Sequence, residues 1–436
     1  MKKLAIPMKK LAIPFVILIA VLVVPPYFIG SQAEDTVREM YQKASKNPTL
    51  DFEVTEYNRG WFSSDVKITL KLATAAVQQN DDFSMVITQN MQHGFILWKT
   101  GGLGFGLADI QYGIETSDKF QAELDKIEGL KGDEITALSR LAFDGSSESI
   151  MRIADFTVSE KDKKINVKSG EFKTSIVMNE KMTFSGEWNG MTVNESDKQI
   201  VEIGALTLDM DQKLIEGDMF SPSALFEGDM SMVLSAINVT GNSPAERVNI
   251  EGFMIKTSQL FKQDLANVDV LFAIEKLSAM GQQFDDLAYD LSFENIDKAT
   301  LLAVNQLMME GEAADPAMMS QKFQALLPNL IAKNPLVKIN RIGTKTPVGE
   351  IKTTAQISIN SDLYDEKNFM SLMSAVEVVA NGYAPEKFFA GFGMAADIDM
   401  LVQQNMLVRE NDQVKFDLSF KNGQATLNGA PVPLGM

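Results

Sequence analysis

Apolar and polar positions follow three successive patterns along the chain. It opens on Leu11–Gly30, LAIPFVILIAVLVVPPYFIG, twenty residues without a charge. As a helix rising ~1.5 Å per residue, this run reaches about 30 Å, the thickness of a bilayer's hydrocarbon core. Lys2, Lys3, Lys9 and Lys10 precede it, and Glu34 and Asp35 are the first acids after it. The lysine excess predicts a cytoplasmic N-terminus over residues 1–10, a single span over 11–30, and translocation of everything beyond. A signal peptide cleaved after Ser31-Gln32-Ala33 is the rival, but its apolar core would be shorter than this run, so a retained anchor is expected. The opening heptad MKKLAIP occurs twice, so translation can begin at Met1 or Met8 without changing the topology.

Residues 31–48 read as a short exposed helix stopped by Asn47-Pro48, a juxtamembrane linker that stands the body off the membrane. From 49 to 296 the period is two. Phe52 and Val54 alternate with acids, Val66, Ile68, Leu70 and Leu72 with Lys and Thr, and Asn58-Arg59-Gly60 turns between them. The same alternation recurs as far as Leu287, Tyr289, Leu291 and Phe293, with short helices predicted over 117–130 and 133–143. From 297 to 436 the pattern turns helical: DKATLLAVNQLMMEG, then a helix from Pro316 to Asn334-Pro335, then FMSLMSAVEVVAN. A further helix from Pro385 places Phe388, Phe392, Ala395, Ile398, Val402 and Met406 on one face. The strand IKTTAQISIN interrupts this region. It closes on a hairpin in which Val414, Phe416, Leu418 and Phe420 alternate and Asn422-Gly423 turns. The predicted fold class is α+β: an N-terminal transmembrane helix, then a large, mostly antiparallel β-sheet body with one face buried, with C-terminal helices packed on it.

Charge narrows the partners. The net charge is −18, and setting aside the four lysines of the first thirty residues leaves −22 for the body. That field opposes nucleic acid and anionic lipid surfaces. The chain has no Cys, so packing alone must stabilise it on an oxidising side, and a lipidated N-terminal Cys is excluded.

Candidate chemistry mostly fails on inspection. His93 is the only histidine and has no second nitrogen or sulfur ligand, so it reads as a solvated turn residue. Gly101-Gly102-Leu103-Gly104-Phe105-Gly106 precedes a strand-like segment instead of opening a helix, which makes it a flexible turn and not a phosphate loop. Asp209 and Asp211 start like a calcium loop, but Leu214 stands where that loop needs glycine. The acid pairs Asp397/Asp399 and Glu216/Asp218 are ordinary in a chain with 58 acids. Met308, Met309, Met318, Met319, Met370, Met373, Met394, Met400 and Met406 suit adaptable apolar surfaces, with plain helix core the favoured reading. No catalytic, cofactor-binding or metal-ligating residue is expected, and no enzyme.

Two stretches are distinctive. One is Val54-Thr55-Glu56-Tyr57-Asn58-Arg59-Gly60-Trp61-Phe62-Ser63-Ser64, in which Arg59-Gly60 can turn a hairpin and Trp61-Phe62 form an apolar wedge against the sheet. The other is the terminal Phe420-Lys421-Asn422-Gly423-Gln424-Ala425-Thr426-Leu427-Asn428-Gly429. With the anchor they bracket nearly the whole chain, which resembles the YdgA family of proteobacterial envelope proteins, a family of unknown function. The resemblance implies a single-pass inner-membrane protein with a periplasmic body that self-associates as a homodimer or larger homo-oligomer, loosely linked to motility. It supplies no catalytic residues.

The expectation is therefore a membrane-anchored structural or interaction protein of the cell envelope, its other partners being a second envelope protein or lipid. The alternative is lipid handling, since a tethered sheet with an apolar face is similar to AsmA-like bridge proteins. An unrecognised hydrolase comes third. A lipid groove needs an apolar face left uncovered, whereas clean alternation suits a conventional core with a wet back.

Overall fold

The computed structural model describes residues 8–45, 50–72, 84–100, 102–115, 129, 133–196, 198–219, 224–241, 243, 246–279, 281–310 and 316–432, with the backbone alone for residues 8–25, 50, 72, 84, 85, 160, 306, 308–310, 316–320 and 369. The predicted helix over 117–130 falls almost entirely outside this set. The described chain is predominantly antiparallel sheet with a few helices, an α+β fold, and it divides into two compact units.

Unit 1 comprises residues 1–154, 170–184 and 217–224. Helix α1 (Met8–Ala44) is followed by strands β1 (Leu50–Arg59), β2 (Ser63–Leu72), β3 (Ser84–His93), β4 (Ala108–Glu115), β5 (Ile135–Leu141) and β6 (Ser147–Ile153). They pair in sequence as an antiparallel meander. Period-two alternation sends Val66, Ile68, Met91, Ile110 and Leu141 to one face, where Ile29, Ala33 and Val37 of α1 close over them. Ala33 is 0% exposed and Val37 2%. The segment from residue 31 is thus no exposed stand-off. It is the part of α1 that seals this core, because an apolar stripe recurs every three to four residues beneath its charges. The helix predicted over 133–143 is strand β5 instead. Its sequence suits either state, and the open hydrogen-bonding edges of β4 and β6 decide.

Unit 2 comprises residues 155–169, 185–216 and 225–436. After β7 (Phe156–Glu160) and β8 (Lys163–Val167) the chain contributes β9 (Gly170–Val177) and the start of β10 (Lys181–Trp188) to unit 1. It returns as β11 (Met191–Glu195), β12 (Lys198–Ile203), β13 (Leu206–Glu216), β14 (Leu225–Val239), β15 (Val248–Lys262), β16 (Leu265–Ala279) and β17 (Gln282–Asp297). Helices α2 (Lys298–Glu310) and α3 (Pro316–Ile331) pack on each other and against β17. Strands β18 (Leu336–Thr346), β19 (Gly349–Ile359) and β20 (Val376–Pro385) follow, then α4 (Glu386–Gly391) and α5 (Ala395–Gln403). The chain ends on β21 (Val408–Glu410), β22 (Gln413–Lys421), β23 (Gln424–Leu427) and β24 (Ala430–Val432).

From β14 to β20 each strand pairs antiparallel with the next, and β22 and β23 extend that ladder. Only one turn of the helix predicted over FMSLMSAVEVVAN forms, at Leu372–Ala375. Val376, Val378 and Val379, stiff at χ1, enter β20 between β19 and β22. The helix predicted from Pro385 breaks between α4 and α5, at Gly393 (φ 76°). Ile398 is buried there against Ala384 and Val414, while Phe392 and Met406 stay exposed.

Candidate functional site: an open apolar sheet face

The distinctive N-terminal motif lies at one end of unit 1. Arg59 bonds Glu34 of α1 (Nη1 to Oε2, 3.2 Å) and stands over the ring of Tyr27, 5.2 Å from its centroid. Tyr57 lies under the Arg38 guanidinium at 5.4 Å and donates to the Met91 sulfur at 3.7 Å. Gly60 turns the hairpin, its N–H donating to the Ser63 carbonyl at 2.8 Å. Trp61 and Phe62 do not wedge against the sheet. They sit at the hairpin tip and are about half exposed, with Trp61 5.2 Å from the Tyr27 ring.

His93 is the clearest departure from the sequence reading. It ends β3 and is buried, 2% exposed, held between the Pro26 carbonyl (Nδ1, 3.1 Å) and the Ser64 hydroxyl (Nε2, 3.1 Å). A carbonyl only accepts, so Nδ1 carries the proton and Nε2 accepts from Ser64. Burial pulls its pKa below the usual value. The glycine-rich loop is also pinned rather than flexible. Leu97 and Gly104 exchange two backbone bonds of 2.9 and 2.8 Å, and Arg140 crosses so close to Gly104 that a side chain there would collide with its guanidinium. Arg140 grips Asp109, which is 0% exposed, through Nε to Oδ1 at 2.9 Å, and Asp109 also accepts from the Lys99 N–H at 2.7 Å. Nothing in the sequence pattern singled out this pair, because its partners lie 31 residues apart.

The other candidates separate. Asp209 and Asp211 lie on strand β13, opposite Ser231 and Asp229, and not in a loop. Glu216 pairs with Lys298 and Asp399 with Arg409, both on exposed surfaces. Among the described residues no three His, Cys, Asp or Glu side chains gather as a metal site. Met370, Met373, Met394, Met400 and Met406 are exposed instead of forming helix core, and the side chains of Met308, Met309, Met318 and Met319 are outside the described set. Asn422-Gly423 and Asn428-Gly429 each form a two-residue turn with positive φ at both positions, 52° and 73°, then 52° and 79°. Asn428 also accepts from the Asp417 N–H at 2.9 Å and donates to the Asn405 carbonyl at 3.0 Å.

What unit 2 brings together is a surface. Following directly opposed residues across the sheet, one row reads Met210–Met230–Thr257–Val270–Leu291–Ile339–Ala355–Ala380–Leu418–Leu427. Nine of its ten members are apolar across ten strands. At ~4.8 Å per strand it runs roughly 43 Å. The adjacent row on the same face reads Leu208–Met232–Ile255–Phe272–Tyr289–Ile342 over six strands. One residue along, on the opposite face, the row reads Asp211–Asp229–Ser258–Asp269–Ser292–Lys338–Gln356–Val379–Ser419–Thr426, and only Val379 is apolar.

Along these rows the two faces differ in kind, although further along the second face the row Thr207–Val233–Met254–Ala273–Ala288–Gly343 is apolar again. Yet the apolar row is not sealed like the core of unit 1. Met230 is 40% exposed, Tyr289 of the adjacent row is 46% exposed, and Val270, Leu291 and Ile339 are half-buried. Phe253, Phe272 and Tyr289 contact one another edge-on with centroids 5.1 and 6.2 Å apart. Helices α4 and α5 pack on the Ala384–Val414 end and on Ile351 of β19, α4 also reaches Phe284 of β17 through Phe388, and α2 and α3 pack against β17.

These features define an α+β protein of predominantly antiparallel sheet with an open apolar face. The chain belongs to the family described as bacterial protein of unknown function (DUF945), which it matches over residues 8–435. No curated protein and no solved structure matches it. Among the described residues no helix is long and apolar enough to cross a membrane; of the uncharged run Leu11–Gly30, only residues 26–30 have described side chains.

Proposed function

We propose that this protein is a non-enzymatic lipid handler of the bacterial envelope: its body holds acyl chains on the open face of unit 2, and residues 11–30 anchor it N-in to the inner membrane. The observation that carries the reading is the ten-strand row, apolar at nine positions and without a charge. Protein interfaces carry about one hydrogen bond per 100–200 Å² and a polar rim, and this row offers almost none. An acyl chain asks for none. At ~0.8 kcal/mol per buried methylene, a dozen methylenes half covered by the face gain about 5 kcal/mol. The anchor and the periplasmic placement rest on the lysine-flanked uncharged run and on the resemblance to the YdgA family.

The test is photo-crosslinking in living cells from the full chain. A benzophenone side chain at Leu291 or Ile339 should yield lipid adducts by mass spectrometry, and one at Gln356, on the wet face, should not. Adducts from Leu291 to a second copy or to another protein would return the chain to the scaffold class. Equal lipid labelling at Gln356 would remove the face as the site.

A further inference from the structure

In unit 1, the β1–β2 turn, the β3–β4 loop and the β5–β6 turn all lie at one end of the antiparallel meander, and α1 passes the same end. His93 bonds the Pro26 carbonyl there, Tyr27 contacts Trp61 at 5.2 Å, and Gln32 Nε2 donates to the Phe143 carbonyl at 3.4 Å. The other end of α1 is fixed at the far side of the sheet, where the Ser45 hydroxyl donates to the Phe52 carbonyl at 2.8 Å. The helix backbone N-terminal of Pro26 therefore leaves the sheet from the end that carries these loops, and the uncharged run leaves with it.

That end is edged with apolar side chains facing water. Leu103 is 78% exposed and Trp98 60%, with Phe28, Phe62 and Phe105 also more than half exposed. Phe95 joins two of the loops, its ring 5.3 Å from Phe105 and 6.1 Å from Phe143. Two of the chain's three tryptophans, Trp61 and Trp98, are here. In a body of net charge −22, the fourteen residues from Gly94 to Leu107 carry one charge, and it is the cation Lys99. Arg59 and Arg140 face inward onto Glu34 and Asp109. An exposed patch of this kind marks an interaction surface. Trp and Tyr concentrate at the level of lipid headgroups, with Lys at the same depth. The occupant follows from continuity: the surface rings the point where the uncharged helix departs.

We propose that this aromatic collar is immersed in the interfacial layer of the membrane that holds α1, so that unit 1 rides on the bilayer instead of standing off it. The inference rests on the anchor reading, and the experiment separates the two. The full chain is placed in phosphatidylethanolamine–phosphatidylglycerol vesicles containing lipid brominated near the headgroup. One variant keeps only Trp98 (Trp61→Phe, Trp188→Phe), and a second keeps only Trp188 (Trp61→Phe, Trp98→Phe). Circular dichroism confirms that both fold, and flotation reports the anchor. Trp98 should be blue-shifted and lose emission to bromolipid, while Trp188 should not respond. If the chain floats but Trp98 answers only to aqueous iodide, the collar stands in water and the proposal fails with the anchor intact. Shielding from both quenchers would mean a contact between copies, which also overturns it. A chain that does not float removes the anchor and the collar together.

Discussion

A single buried histidine sets the most specific expectation at the residue scale. His93 is neutral in the folded state and its pKa is pulled below the unfolded value of about 6.5, mainly by burial. The unfolded chain therefore binds the proton first. The stability that His93 contributes is fully present above pH ~6.5 and is lost as pH falls through and below that value. Thermal unfolding followed by the fluorescence of unit 1 should show a midpoint that drops between pH 7.5 and 5.5, a window in which most carboxylates stay ionised. His93→Gln should be less stable throughout but should lose that slope. Gly30→Ala probes the same contact from the helix, because its Cβ would come within 2.5 Å of the His93 ring. It should cost about 1–3 kcal/mol, as overpacking does. At the Arg140–Asp109 pair, Asp109→Ala strands a guanidinium and two backbone N–H groups, and urea unfolding should register a loss of about 3–5 kcal/mol. Neither position was legible in the sequence. A solvated and a buried histidine look alike until the helix that covers one of them is placed.

Among the elements, those that matched the sequence reading are those whose signal is local. The Asn422-Gly423 hairpin formed because two left-handed residues in succession suit few sequences. Gly423→Ala should destabilise it by about 1 kcal/mol or more, measured by hydrogen exchange of the β22 and β23 amides. Phe416 is half-buried, its ring lying across Gly382 of β20, so Phe416→Ala should cost about 1.5–3 kcal/mol, less than a sealed phenylalanine. Lys415, ion-paired at the surface with Glu410 at 2.8 Å, should tolerate Ala within about 0.5 kcal/mol. The misread elements, β5 and the start of β20, share one cause. Each has apolar spacing that suits helix or strand, and each lies between two strands that supply hydrogen bonds on both edges. Strand pairing at long sequence separation overrode a weak local preference.

For the molecule as a whole, the two units use one alternation rule and end differently. In unit 1 the apolar face is closed by α1, and Ile68 is 0% exposed. In unit 2 the corresponding rows are only partly buried, with Met230 and Tyr289 exposed. Ile68→Ala should therefore cost about 2–5 kcal/mol, whereas Leu291→Ala should cost about 1–2 kcal/mol, in chemical denaturation of the purified full chain. Equal costs would mean that something covers the row in solution. Adding a saturating lipid should then raise the midpoint of the wild type more than that of Leu291→Asp, since a ligand stabilises only the state that binds it.

Local chemistry was enough to place the ten-strand apolar row, the hairpin turns, the ends of α2 and α3, and the uncharged run with its lysines. These depend on spacing and backbone chemistry within a few residues. The motif Tyr57–Phe62 was visible as unusual, but its division of labour was not: Arg59 turned inward to Glu34 while Trp61 and Phe62 stayed in water. Clean alternation told that one side of the sheet is apolar and could not tell whether anything lies upon it. Coverage was settled by the packing of the folded chain, because it depends on where helices distant in sequence dock. It placed α1 over unit 1, whereas among the described residues of unit 2 the long apolar row is only partly buried, with Met230 exposed.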